Sequence, residues 1–339
     1  MENAPALVWF RRDLRDHDHA ALAAALASGR PVYCAFVFDT DILDALPTRA
    51  DRRVEFIHAS LQQLDAALRQ RGGGLIVRHG RAADEIPRLA GELGVTEVYA
   101  NRDHEPAALA RDAAVDQQLA AARGRLHLLK DQTIFERDEL LTGAGRPYTV
   151  FTPYKNAWLK RLSAADHAPF SAAGCFAPVP ENLPTLAELG FMPSNLGELG
   201  IVPGMAGARQ LWDEFRAGRI RRYGALRDFP ALKGVSYLSV HLRFGTISIR
   251  ELVSAALAGH KFKGVKTDRL KADVVAFYKG TDTEFLDYVL VEGKAPTKGK
   301  DRALVCAIAF LPDAQARDYV TTVKGAQALS RYIDSLAEF

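Results

Sequence analysis

Five short apolar runs, separated by stretches with helical spacing and all lying within the first 130 residues, most restrict the fold of this chain. The runs cover residues 6–10, 32–38, 75–77, 98–99 and 126–129 and are rich in β-branched and aromatic side chains. They are continuous rather than alternating, as strands buried on both faces are. Between them the clearest helical pattern spans 54–68. There Val54, Ile57, Leu61, Leu64 and Leu68 recur at three- and four-residue steps, with Arg and Gln opposite. Three glycines at 72–74 stop that helix before the next strand. Strand and helix in alternation, joined by short loops, predict a Rossmann-like, doubly wound parallel α/β sheet with helices on both faces.

At 339 residues the chain has room for two domains with separate cores. Apolar residues make up 48% and charged residues 25%, which excludes disordered and fibrous classes. A net charge of +3 is too small to argue for a nucleic-acid partner without a local patch. Cys34, Cys175 and Cys306 are far apart and form no CxxC or metal-ligand spacing, so reduced thiols are expected. The chain turns charged after one short apolar run, and no stretch approaches membrane-spanning length. The expectation is a cytoplasmic protein without membrane contact.

Composition shifts after Lys160. Pro169, Pro178, Pro180, Pro184, Pro193 and Pro203 punctuate a stretch rich in Ala, Gly and Ser, which suits an irregular connector wrapped over a surface. Helical spacing returns over 208–216. The expected organisation is an α/β domain at 1–135, a connector at 136–207, and a mainly helical region at 208–339. From about residue 258 that region follows no recognisable motif.

Several local patterns carry possible chemistry. Trp9–Arg15 follows the first strand, at the edge where ligands bind in open α/β sheets. Arg11, Arg12 and Arg15 there either face a phosphate or carboxylate ligand, or form ion pairs at the surface and between domains. His17 and His19 form one HxH pair, and no further ligand spacing supports a metal. In GRPYTVFTPYKNAW, Thr152 as N-cap and Pro153 at the first helical position predict a helix start, with Trp158 on its first turns. In GVSYLS, Gly234, Ser236 and Ser239 supply a small-residue turn with two hydroxyls. Such a turn either caps a helix or holds a phosphate. Another helix starts at Ser248. Arg219, Arg221, Arg222 and Arg227 form a basic cluster consistent with phosphate contacts.

Three of these stretches together, WFRRDLR, GRPYTVFTPYKNAW and LKGVSYLSVHLRFGTIS, resemble the DNA photolyase/cryptochrome family of blue-light flavoproteins. The resemblance runs from about residue 6 to about residue 257. It implies an antenna domain followed by a helical FAD-binding domain, and light-driven repair of cyclobutane pyrimidine dimers in damaged DNA by electron transfer from reduced FAD. By position, Tyr223, Val235, Ser236, Tyr237, Leu238 and Ser239 match the part of the family's site that contacts the FAD phosphates. Val235 stands where the family has Thr. Arg227 matches a residue that touches the DNA backbone. Glu105, Arg111 and Asp112 match the frame around the family's folate antenna, but Ala107 and Ala108 fall on its Asn-Glu pair. Folate binding by that route is therefore not expected, and the antenna pigment stays open. Asp18 keeps the family's Asp while His19 replaces its Asn. Family members continue past this point with ring-gripping Asp and Arg residues and a chain of tryptophans, whereas the last tryptophan here is Trp212. Tyr278, Tyr288, Tyr319 and Tyr332 are read as core or surface residues, and the basic run Lys261, Lys263, Lys266, Arg269 and Lys271 as a solvated helix face. The resemblance thus implies a monomer with an incomplete FAD domain and impaired repair. The alternatives are a non-enzymatic cryptochrome-like or nucleotide-binding light-responsive protein, or a degenerate, inactive photolyase.

Overall fold

The fold is that of a computed structural model describing residues 4–136, 138–226 and 232–258, and the backbone course of 276–281 and 284–289. Five strands, β1 (Ala6–Phe10), β2 (Val32–Asp39), β3 (Leu75–Gly80), β4 (Glu97–Asn101) and β5 (Arg125–Leu129), form one sheet in the order β3-β2-β1-β4-β5. Every neighbouring pair in it is parallel. Each strand contains its predicted apolar run. Strands β2, β3 and β4 extend past their runs at the carboxyl ends, with Asp39, Arg78, His79 and Asn101, while β4 and β5 each gain one charged residue, Glu97 and Arg125, at the amino end.

Strand β1 shows why an all-apolar run is required. Ala6, Val8 and Phe10 belong to one buried core, and Leu7 and Trp9 to the other. Helices α1 (Ala20–Ala27) and α3 (Arg52–Gln70) supply Leu22, Leu61 and Leu64 to the first core. Helices α4 (Ala82–Glu92) and α5 (Pro106–Ala121) supply Ile86, Leu89, Val115 and Leu119 to the second. A single turn, α2 (Thr40–Leu43), follows β2. Asp51 caps α3 by accepting from the Arg53 and Val54 amides at 2.8 and 3.4 Å. Gly72 closes its other end at φ +82, as the three glycines predict.

Residues 172–193 of the expected connector pack along the sheet domain. The Val32 amide donates to the Cys175 carbonyl at 3.0 Å, and the Ala177 amide returns to Val32 at 2.9 Å. Phe176, Val179, Leu189 and Phe191 are buried beneath it. A Cβ on Gly73 would sit 2.9 Å from Phe176, so these glycines are small for packing as well as for the turn.

By contact density the chain forms two units, residues 1–133 with 168–251, and residues 134–167 with 252–339. The second unit contains α6 (Phe151–Arg161), whose N-cap is Val150 rather than Thr152, with no side-chain cap. Proline is tolerated anywhere in a first turn, because those amides have no helical partner, so Pro153 does not fix the start. Trp158 is buried against Phe135, ring centroids 5.6 Å apart.

In the first unit α7 (Gly204–Glu214) runs through a π-helical turn at Phe215–Arg219 into α8 (Ile220–Leu226). Then come α9 (Ser239–Arg243) and α10 (Ile249–Leu257), which continues past residue 251. The tail departs from helix among its described residues, where β6 (Ala276–Thr281) and β7 (Glu284–Val289) pair antiparallel. Phe277, Tyr278, Phe285 and Tyr288 suit strands. The basic run at 261–271 and residues 319 and 332 lie outside the described residues.

Candidate functional site

The strand order reverses between β1 and β4, so the loops leaving their carboxyl ends diverge and open a crevice. The three arginines of WFRRDLR stand there, and carboxylates of this chain meet them. Arg11 donates to Asp112 at 2.5 Å. Arg12 donates to Asp103 at 2.9 Å and Glu105 at 2.6 Å. Arg15 places Nη2 at 2.8 and 2.6 Å from the two oxygens of Asp131, just beyond β5. The ion-pair reading therefore describes this motif, with the pairs internal to one unit.

The partner of the motif is a strap formed by residues 243–250. The Leu14 amide donates to the Phe244 carbonyl at 3.0 Å, and Arg15 to the Gly245 carbonyl at 3.1 Å. Arg243 donates to Glu105 at 2.8 Å. Ser248 caps α10 by accepting from the Arg250 amide at 3.1 Å, and its hydroxyl donates to Asp18. Arg250 then donates to Asp18 at 2.9 Å and to Asp131 at 2.8 Å, with every participant buried. Burial pushes the Asp131 carboxyl up, but Arg15 and Arg250 overcome it and hold the group well below the usual carboxylate range. Asp103 is likewise raised by burial and lowered more by Arg12, Arg11 and Arg111, to about 2.

Arg250 and Asp131 were not singled out from the sequence. One signal was present, since a cation in the first turn of a helix opposes the helix dipole and demands a carboxylate.

His19 caps α1 by accepting from the Leu22 amide at Nδ1, 3.0 Å, while Nε2 faces Asp13 at 3.0 Å. Both ring nitrogens of His19 are thus engaged within the chain, and His17 pairs with Asp16. Of the antenna frame, Glu105 is held by Arg12 and Arg243, and Arg111 by Asp112. Ala108 is buried and Ala107 exposed.

The second set of candidates lies at the π turn, α8 and the approach to α9. Tyr223 is buried on α8, its ring edge-on to Phe215 at 6.0 Å. Gly234 packs so closely on the end of α8 that a Cβ there would lie 2.6 Å from Leu226. Tyr237, at φ +61, places its ring 5.6 Å from the Arg219 guanidinium. The turn 235–239 is thus brought against the helical segment that carries Tyr223. Val235, Ser236 and Ser239 are half-buried, Tyr237 is exposed and Leu238 is buried. The helix-cap reading of the serines fails. The N-cap of α9 is Leu238, without side-chain help, and among the described residues Ser236 receives only the Leu238 amide, at 3.4 Å. Arg221 and Arg222 are exposed, and Arg227 lies outside the described residues.

Both Nη atoms of Arg219 are buried without a hydrogen-bond partner among the described residues, and Glu214 stands at 3.7 Å. A guanidinium short of acceptors beside a small-residue turn fits an anionic group such as a dinucleotide phosphate.

The geometry defines a doubly wound α/β domain whose switch-point crevice is strapped by a following helical segment. The DNA photolyase family model matches residues 6–174. The chain is 35% identical over 266 residues to a deoxyribodipyrimidine photo-lyase of Synechococcus, covering 76% of this chain and 54% of that protein. Its structure resembles a bacterial class III photolyase from Agrobacterium tumefaciens, with TM-score 0.70 and 29% identity over 80% of this chain and 56% of the other. The fold is shared with an archaeal photolyase from Sulfolobus tokodaii, solved with two FAD molecules, with TM-score 0.62 and 23% identity over 90% of this chain and 59% of that one. The chain belongs to the DNA photolyase/cryptochrome family. It spans little more than half the length of these relatives. Among the described residues no helix is long and apolar enough to cross a membrane.

Proposed function

We propose that this chain is a photolyase-related flavoprotein that holds FAD through Tyr223 and the turn formed by Val235, Ser236, Tyr237, Leu238 and Ser239. It acts on cyclobutane pyrimidine dimers in DNA more slowly than the relatives it resembles. The observation that carries the reading is the close approach of that turn to α8, marked by Gly234 on Leu226 and Tyr237 on Arg219. When bound, FAD supplies the electron that splits the dimer. The residues of this chain bind and orient it. Two serine hydroxyls and the backbone of the turn offer donors to the phosphates, and Tyr223 closes the side of α8. Arg227 and its exposed neighbours Arg221 and Arg222 contact the DNA backbone, a role that needs only accessible cations.

Slow repair is read from residues 258–339 themselves, because the resemblance places ring-gripping and electron-relay residues directly after residue 257. The sequence given has no tryptophan there. The antenna, if one binds, is held without the Asn-Glu pair that Ala107 and Ala108 replace. The protein acts as a cytoplasmic monomer.

The test has two arms. Replacing Ser236 and Ser239 together by Ala should release flavin that the wild-type chain retains, measured by absorbance of the desalted protein. Retention equal to wild type would refute the site. Repair of dimer-containing DNA, with chemically reduced FAD in excess, should stay close to the no-protein control under light. Dimer loss at the rate of the Synechococcus relative would refute the slow-repair reading. Salt-sensitive DNA binding without repair is the expected pattern.

A further inference from the structure

We infer that Arg219 grips the diphosphate of the bound dinucleotide, replacing the anchorage lost where Val235 stands in place of a hydroxyl residue. The inference rests on the flavin reading above and adds to it a residue that neither sequence motif nor resemblance assigns to the cofactor.

Arg219 ends the π-helical turn Phe215–Arg219, four residues before Tyr223. A π turn inserted between helices rotates the residues around it and recurs at binding sites. Here it sets Phe215, Arg219 and Tyr223 on one side. The Arg219 guanidinium lies 5.9 Å from the Phe215 ring and Phe215 lies 6.0 Å from Tyr223. On its other side stands Tyr237, in the middle of the phosphate-binding turn. Arg219 is thus the side chain that joins the two parts of the proposed site.

Its hydrogen bonding sets it apart from the buried arginines. Arg11, Arg15 and Arg250 all donate to carboxylates within 2.9 Å. Both Nη atoms of Arg219 are shielded from water and have no acceptor among the described residues. The Glu214 carboxylate is 3.7 Å away and is shared with Lys233 at 3.6 Å. A guanidinium keeps its charge at any physiological pH, and its planar fork matches two oxygens of a phosphoryl group. A buried donor pair left without an acceptor is costly, so a ligand that supplies one is favoured.

A dinucleotide is favoured over a DNA phosphate by access. The fork lies beneath Tyr237, which is 38% exposed and sits on the turn at φ +61. A ligand seated on the turn can displace that ring and reach the fork. A duplex backbone meets only cations that project to the surface.

The experiment measures FAD and riboflavin affinity of the full chain by flavin fluorescence, for wild type, Arg219→Gln and Arg219→Lys, with thermal melts as the folding control. Riboflavin has the ring and no phosphate. Arg219→Gln is expected to weaken FAD on the order of ten-fold and to leave riboflavin unchanged. Arg219→Lys, which keeps the charge and loses the fork, should fall between and carries the test if the Gln variant does not fold. Unchanged FAD affinity, or equal losses for FAD and riboflavin, would overturn the inference while leaving the flavin reading intact. Loss of duplex binding with FAD retained would assign Arg219 to DNA and also overturn it. A wild-type chain that binds no FAD would overturn both.

Discussion

Arg250 Nη2 and Asp131 Oδ1 stand 2.8 Å apart, joining the first turn of α10 to the residue just beyond β5 across 119 positions of chain. Arg15 approaches the same carboxylate from the loop after β1. Asp18 receives both Arg250 and Ser248. The four charges form an alternating, fully buried cluster, and the strap that carries Arg250 leads back through α9 to the turn at 235–239. The family motif WFRRDLR is therefore a socket for the segment after the turn at 235–239, and its conformation bears on how that turn is presented.

Removing the shared carboxylate should be severe. Asp131→Asn takes from Arg15 its paired carboxylate and leaves Asp18 alone to balance two buried guanidiniums. Breaking a buried pair in this way costs about 3–5 kcal/mol. Urea unfolding should show the midpoint fall at an unchanged slope. A loss under 1 kcal/mol would mean that water replaces the carboxylate and that the socket is not a major tie.

Two glycines in the left-handed region should respond very differently to alanine. Gly245, at φ +62, would place a Cβ 2.3 Å from the Arg12 carbonyl and 2.4 Å from Asp13 Cα. Gly29, at φ +72, has nothing within 4 Å. Gly29→Ala should cost only the backbone strain, about 1 kcal/mol. Gly245→Ala adds a clash with backbone that cannot step aside, and should cost about 3 kcal/mol or more. Comparable losses at the two sites would show that the strap is free to lift from the socket.

Much of the sheet was legible, because burial on both faces leaves a direct mark on composition. Ala6–Phe10 is read and found with the same ends, and Val54, Leu61, Leu64 and Leu68 face the core. The arginines of the motif were not legible, since their partner Asp131 lies 116 positions beyond Arg15. Spacing cannot distinguish a ligand's carboxylate from the chain's own. Thr152 misled for a simpler reason, as cap chemistry is shared by many residues that do not cap. The candidate flavin site was only half visible. Its hydroxyl turn showed in GVSYLS, but Arg219 looked like one cation in a basic cluster until the π turn gave it a direction.

Stability should fall on mild acidification through His241. Burial holds this imidazole down to about 4, against an ordinary 6.5, and a backbone contact from Gly204 opposes the shift without cancelling it. Its folded value lies below its unfolded one. Between pH 6.5 and 4 the unfolded chain therefore binds a proton that the folded chain refuses, and stability drops as pH falls. The loss approaches about 3 kcal/mol near pH 4 and then levels off. His241→Asn should remove most of that slope, at some cost at neutral pH from lost contact with Phe56. Urea midpoints at pH 7 and pH 5 for the two proteins check it. Parallel pH profiles would place the acid sensitivity elsewhere.

Restoring one hydroxyl in the turn should strengthen flavin binding. Val235 is half-buried, so a threonine there exposes its hydroxyl to ligand and water alike and strands no polar atom in a core. The two side chains have nearly the same shape, and the backbone of the turn need not move. A hydrogen bond to a charged phosphate contributes about 1.5–3 kcal/mol, so Val235→Thr should tighten FAD by roughly ten-fold or more. The gain should appear in FAD and be absent for riboflavin, which has no phosphate to receive the bond. Combining Val235→Thr with Arg219→Gln separates the two anchors. If both groups hold the same diphosphate, the hydroxyl should matter more once the guanidinium is gone, and the two effects will not add. Strict additivity would mean that the hydroxyl and the guanidinium act on different parts of the ligand. No gain from Val235→Thr would move the phosphates away from this turn altogether.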